Sequence, residues 1–312
     1  MALVPPVYLD CVLAIGFGPE DNVQWSGTGF LYFKVQKELE GGDVYGRSFL
    51  VTNKHVIEGQ ESAWVRCNPS GDAAAKQYGL GLTTPDGDPL WFGHPDPDVD
   101  IAVLPVDYTM LRDDGMQVSV FFSNGSAATH QVMLDTGISE GDGVFVLGFP
   151  MAMVGAIRNV VIVRAGTIAR IRDLLAGHSK TFLIDASVFP GNSGGPVILK
   201  PEIASIAGTK TNNRSWLLGI VCAYVPYQDT AYSLQTKRPR VIFEENTGLA
   251  VVHPTELIEE TIHFQIATMP PDPNLTDGEA LTQPSSPTDA PEPLEGQPGE
   301  VAPAQSTLES GS

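Results

Sequence analysis

Phe189-Pro190-Gly191-Asn192-Ser193-Gly194-Gly195-Pro196-Val197 places one serine among glycines, just ahead of an apolar, β-type run. Those surroundings suit a nucleophile. Glycines keep side chains off the hydroxyl and permit backbone conformations that aim N–H groups at a developing oxyanion. A serine nucleophile needs a base, and the base needs an orienting acid. Phe49-Leu50-Val51-Thr52-Asn53-Lys54-His55-Val56 leads an apolar strand straight into His55, where a rigid core can position the imidazole. Of the other histidines, His94, His130 and His178 lie in polar, turn-rich stretches. His253 and His263 come late, at a strand end and in a helical stretch. Asp96-Pro97-Asp98-Val99-Asp100-Ile101-Ala102-Val103-Leu104 passes from an acidic turn into a strand. Asp100 is the last carboxylate before that strand and the one drawn inward. A buried carboxylate needs a partner, and a histidine N–H is a suitable one. Asp96 and Asp98 read as solvated loop residues. The candidates run His55, Asp100, Ser193 in chain order.

Positioning them takes a core on each side. The chain has 312 residues, 42% hydrophobic, with 32 Gly and 25 Pro. Frequent turns and scarce helical periodicity predict an all-β protein. Strands are expected over Val7–Ile15, Gly29–Val35, Ser48–Thr52, Ala63–Cys67 and Ile101–Leu104 in the first half. In the second they are expected over Val144–Leu147, Val160–Val163, Gly166–Ile171, Thr181–Ile184, Pro196–Leu199, Leu217–Ala223 and Leu249–Val252. Gly41-Gly42-Asp43 predicts a hairpin ahead of the histidine strand, and Pro85-Asp86-Gly87-Asp88 a turn. A connection between halves is expected between about 122 and 140. Pro254 to Ile262 reads as a closing helix with Thr255 as N-cap. Residues 225–247, with the basic cluster Lys237-Arg238-Pro239-Arg240, read as a surface insertion. Residues 269–312 hold nine prolines, eight acidic residues and no Lys or Arg. Such a segment buries too little to offset its ordering entropy, so a disordered, Pro-rich acidic tail is expected.

These motifs together resemble the chymotrypsin-fold (trypsin-like) serine peptidases, which use the order histidine, aspartate, serine. Gly27-Thr28-Gly29-Phe30-Leu31 resembles the strand preceding the histidine strand. Gly141 to Pro150 resembles the opening of the second barrel, and Val163 to Ile168 a strand that follows. Leu217 to Ala223 resembles the substrate-binding strand. The likeness spans about residues 7–266 and is nearest to the bacterial Deg-type (high-temperature-requirement) peptidases, on Asp185-Ala186-Ser187 and on Asn192. Asn192 cannot form the charged lock by which an aspartate there fixes the site after pro-peptide cleavage. The resemblance implies two packed six-stranded antiparallel β-barrels, about 1–125 and 140–268, forming one peptidase domain over 1–268. It implies an acyl-enzyme mechanism with Ser193 as nucleophile, His55 as base and Asp100 as orienting acid. Gly191 and Ser193 N–H would form the oxyanion hole, given a suitable orientation of the Gly191–Asn192 peptide. Alignment on Ser193 puts Ser187 near the base of the primary pocket, and Val221, Cys222, Ala223 and Tyr224 along its wall and on the strand edge that pairs with substrate. Uncharged Ser187 and bulky Tyr224 point to small or medium apolar side chains.

Gly191-Asn192-Ser193-Gly194-Gly195 also matches the nucleophile elbow of the α/β-hydrolases, but that fold requires a helix after the serine and a histidine last. A catalytically inactive peptidase fold that binds peptides is the other alternative; all three triad positions are filled. No metal or cofactor is expected, for the chain lacks a His-Glu-x-x-His helix, a Cys-x-x-Cys pair and a phosphate-binding glycine loop. A net charge of −19 argues against a nucleic-acid surface, and no run is long enough to span a membrane. The expected partner is a protein or peptide substrate. Three cysteines, Cys11, Cys67 and Cys222, make no disulfide framework, and Met1 to Pro6 has no basic leader. A cytoplasmic setting is the expectation.

Overall fold

Strands buried on both faces organise the molecule, seen here in a computed structural model that describes residues 4–202, 210–268 and 279–283. The first half carries α1 (Pro6–Leu9), β1 (Val12–Phe17), β2 (Gln24–Glu38), β3 (Asp43–Thr52), α2 (Lys54–Ile57), β4 (Ser62–Cys67), β5 (Lys76–Gly81), β6 (Phe92–Gly93), β7 (Ala102–Pro105), α3 (Tyr108–Asp113) and β8 (Phe121–Phe122). The second carries α4 (His130–Thr136), β9 (Gly143–Gly148), β10 (Ile162–Arg170), α5 (Arg172–Leu175), β11 (Phe182–Asp185), β12 (Pro196–Leu199), β13 (Leu217–Tyr232), β14 (Pro239–Pro254), α6 (Thr255–Thr268) and β15 (Glu279–Thr282).

The second half closes into the expected six-stranded antiparallel barrel, in the order β10-β11-β14-β13-β12-β9. The first half is a half-barrel sheet ordered β5-β4-β1-β2-β3-β7-β6, with β8 added parallel to β2 and β15 antiparallel to β3. Side chains alternate across each strand, so consecutive residues serve different cores. On β9, Val144 and Val146 fill the barrel, while Phe145 and Leu147 face the first half. On β3, Leu50 lies inside the first sheet, while Phe49 and Val51 face the second half. The halves thus share a third core, to which Ile258 and Ile262 of α6 also belong.

Several expectations change. The strand expected from Val7 begins only at Val12: Pro6 starts a helical turn, which its fixed φ favours, and Tyr8 of that turn donates to the Ser215 carbonyl at 2.9 Å. The connection between halves contains α4, with Thr129 accepting from Val132 N–H and Gly137 ending the helix at φ +75°. Residues 76–81, within a turn-rich stretch, form β5. Thr255 is the first residue of α6 rather than its cap, and its hydroxyl donates to Leu217 O at 2.9 Å. Residues 225–247 are an ordered antiparallel ribbon in which β13 and β14 continue past the barrel, with Tyr232 paired to Pro239. Within the stretch expected to be a disordered tail, Glu279–Thr282 pairs with Asp43–Gly46, and Leu281 is buried in the first core. The rest of that expectation falls outside the described residues. The hairpin turn at Gly41 and Gly42, with φ +88° and +92°, is as expected.

Candidate active site

The end of β3 delivers His55. After Thr52 the chain enters α2, and His55 stands exposed on its first turn. Asp100 approaches from the loop before β7. One carboxylate oxygen lies 2.5 Å from His55 Nδ1; the other accepts the His55 backbone N–H at 3.1 Å. Nδ1 is thereby committed, and Nε2 is the nitrogen left to act on a substrate or nucleophile. Burial pushes the Asp100 carboxyl up, but the hydrogen bonds and charge of His55 outweigh it and hold the group below its ordinary value. Asn53 Nδ2 donates to Asp100 O at 2.6 Å.

Two histidines outside the candidate set hold this loop. Asp100 N–H donates to His253 Nε2 at 3.1 Å, and Asp96 N–H donates to His94 Nδ1 at 3.1 Å. Both rings are buried. A backbone N–H only donates, so these nitrogens must carry lone pairs. The other nitrogens then face Lys180 O and Glu260 Oε2, each at 3.3 Å. Burial lowers the His253 pKa, which favours that neutral form. Asp96 is no mere solvated residue: it pairs with Lys180, which bridges to the second half, while Asp98 stays largely exposed.

Ser193 sits half-buried on a loop clasped by the first half. Thr28 of β2 makes the clasp. Its N–H donates to Ser193 O at 2.9 Å, and its hydroxyl donates to Gly191 O at 2.6 Å while accepting from Phe149 N–H at 3.1 Å. Gly191 and Gly194 have φ +96° and +85°; a Cβ there would strike Phe149 O and Thr28 O respectively. Asn192 is buried, and its Oδ1 accepts Phe189 N–H at 3.0 Å, a neutral tie where a charged lock was ruled out.

Gly191 N–H belongs to the Pro190–Gly191 peptide, which corrects the peptide named from sequence. Pro190 O is held by Met151 N–H at 2.7 Å. In a planar trans peptide the Gly191 N–H faces the other way. Among the described residues neither Gly191 N–H nor Ser193 N–H has an acceptor, and Ser193 Oγ has no hydrogen-bond partner. Met151, which braces this loop, and Ala152 after it hold φ of +53° and +59°.

Of the expected pocket residues, Ser187 and Ala223 are exposed, Val221 is buried and Cys222 is half-buried. Val221 pairs with the serine loop through Gly194 N–H and Gly195 O, each at 3.0 Å. Burial first, and the Asp100 charge second, push the Cys222 thiol up to about 12. Tyr224 is turned along the ribbon, its hydroxyl donating to Glu244 at 2.5 Å. Thr28 and His253 are the residues that sequence reading passed over. Thr28 lies in a noted motif, Gly27-Thr28-Gly29, but nothing local marks its reach to Gly191.

The described residues hold no group of three or more His, Cys, Asp or Glu able to bind a metal, and none of their helices is long and apolar enough to cross a membrane. A family model described as a trypsin-like peptidase domain matches residues 27–202. A curated relative, "Putative protease Do-like 3, mitochondrial" of Arabidopsis thaliana, is 28% identical over 178 residues, 55% of this chain and 26% of that protein. The chain thus spans about a quarter of the length of the curated relative it matches. Among solved structures, the MamO protease domain of Magnetospirillum magneticum aligns with TM-score 0.43 and 13% identity, covering 81% of this chain and 96% of that one. The Rv3671c protein of M. tuberculosis, in an inactive form, aligns with TM-score 0.40 and 18% identity, covering 86% and 94%.

Proposed function

Since this chain belongs to the trypsin-like peptidase domain family, we propose that it is a serine endopeptidase working through His55, Asp100 and Ser193. One observation carries the assignment. It is a His55–Asp100 pair at the end of β3 together with a serine loop that neighbouring β2 clasps through Thr28 and that keeps two N–H donors uncommitted. Ser193 Oγ attacks the scissile carbonyl. His55 Nε2 takes its proton and returns it to the leaving amine, while Asp100 holds the imidazole and stabilises the imidazolium. Gly191 and Ser193 N–H receive the oxyanion; losing one such donor typically costs about 10²–10³ in rate. The fixed peptide at Pro190 supports a preformed hole.

Cys222, Ala223 and Tyr224 offer a strand edge to the substrate backbone, Val221 being already paired to the serine loop, and uncharged Ser187 favours small or medium apolar side chains. Tyr224 adds little to that preference, for its ring follows the ribbon to Glu244. A peptide library cleaved mainly after Lys or Arg would overturn the preference.

A fluorophosphonate probe tests the catalytic assignment. The purified chain is expected to take the label, and Ser193→Ala to lose it. A folded wild type that takes no label rejects the assignment and leaves a peptide-binding fold.

A further inference from the structure

We propose, on the peptidase reading above, that the β13–β14 ribbon is a track for the non-primed side of a long substrate. An extended polypeptide adds as a strand to the outer edge of β13 from Cys222 to Tyr232. On one face its apolar side chains lie against Tyr227 of β13, and acidic residues far upstream of the cut meet Lys237, Arg238 and Arg240.

Continuity of the strand is the first ground. β13 is a single element running from the barrel into the ribbon. Its pairing with β12 ends at Ile220, whereas its pairing with β14 continues to Tyr232. From Cys222 onward the outer edge has no strand partner among the described residues. That edge begins with the residues assigned to substrate pairing and runs on for about 33 Å at strand rise. The register places the side chains. Tyr227 opposes Glu245, Asp229 opposes Phe243 and Ala231 opposes Val241, so these six share one face. On that face Tyr227, Phe243 and Val241 are 57%, 56% and 50% exposed. A two-stranded ribbon is marginal alone, and a third strand supplies the missing backbone partners and, on this face, a neighbour for Tyr227.

Charge then sets the polarity of the occupant. Three cations within four residues stand at the tip of a chain whose net charge is −19. The base of the ribbon, by contrast, carries Asp229, Glu244 and Glu245. An antiparallel substrate strand places its upstream end at the tip. The track therefore selects an unfolded segment that is apolar near the cut and acidic roughly ten residues upstream, the number of residues the edge can pair.

The test compares the full chain with one in which residues 229–243 are replaced by Asn-Gly, a two-residue hairpin turn. Tyr224 and Gln228, which both donate to Glu244, are kept together with it. Two p-nitroanilides are used. One is succinyl-Ala-Ala-Pro-Val; the other is a dodecapeptide with the same last four residues, preceded by alternating Val and Thr, with two Glu at its start. The full chain should cleave the longer one with kcat/KM at least about tenfold higher, a preference worth one decade of binding. The shortened chain should show equal values for the two, with tetrapeptide cleavage unchanged.

A fluorescein-labelled dodecapeptide titrated into Ser193→Ala, with and without the ribbon, reads the same difference as affinity without any catalysis. Failure of the peptidase reading thus shows as absent cleavage and absent labelling while the affinity difference persists. A triple charge reversal, Lys237→Glu, Arg238→Glu and Arg240→Glu, leaves the ribbon intact. It should weaken binding of the Glu-led peptide and not of a Lys-led one. Equal length preference or equal affinity with and without the ribbon overturns the proposal. So does loss of a dimer on shortening, by light scattering, with peptide behaviour unchanged, which would make the ribbon a contact between copies.

Discussion

Thr28 ties the serine loop to the first half through one hydroxyl that donates to Gly191 O and accepts from Phe149 N–H. Replacing that hydroxyl by a methyl leaves the shape and removes both bonds. Thr28→Val is therefore expected to slow fluorophosphonate labelling by about 10-fold to 100-fold, on the scale of a disturbed oxyanion donor. Thr28→Ser should restore most of the rate, and an unchanged rate in the valine variant would reject the role. His253 gives a pH dependence with a definite sign. Its folded pKa lies below its ordinary 6.5, so below that pH the unfolded chain binds more protons. Stability contributed by neutral His253 is fully present above 6.5 and falls as pH drops from there toward the folded value. Asp100, held below 3.8, contributes above that value and loses its share only at lower pH. Urea midpoints measured between pH 7.5 and 5.0 should fall in the wild type and fall less in His253→Gln. His55, Asp100 and Ser193 stand out in the sequence because each sits at a local transition between strand and polar turn, and the structure pairs the first two. Thr28 and His253 do not stand out, since their partners lie 163 and 153 residues away and appear only once the halves pack.

Strands explain why so much of the architecture was legible and helices why some was not. Runs such as Val144–Leu147 and Phe49–Val51 are apolar throughout because one face of each fills its own unit and the other fills the core between units. Leu147→Ala, at a site with no exposure, is expected to cost about 2–5 kcal/mol by chemical denaturation. Because Leu147 faces the first half, the same change should also slow labelling; a stability loss with full labelling would separate the core from the site. By contrast, α4 has only seven residues and buries Met133 alone, too short for its periodicity to show. Its Thr129 and Gly137 ends were the available signal. The sequence of the ribbon mixes Pro, Asp and basic residues and so reads only as a surface insertion; its pairing follows from being a continuation of two barrel strands.

At the scale of the molecule, β15 returns from the far end of the chain to cover part of β3. Composition hid it: proline and acid dominate the stretch, and four residues around Leu281 are too few to stand out. Ending the chain at residue 268 uncovers the edge at Asp43–Gly46 and the site of Leu281, whose burial is worth about 1.5–3 kcal/mol. The truncated protein should show a lower urea midpoint and, by sedimentation, more self-association through the open edge. An unchanged midpoint would make β15 dispensable. The division of the proposed site has a kinetic consequence as well. His55 and Asp100 lie on one side of the connection near residues 123–129, whereas Ser193 and His253 lie on the other. If the two sides were produced as separate polypeptides, neither would carry a whole site. Uptake of the serine label would then follow a bimolecular rate law, rising with the product of the two concentrations, and its onset would report the meeting of the halves.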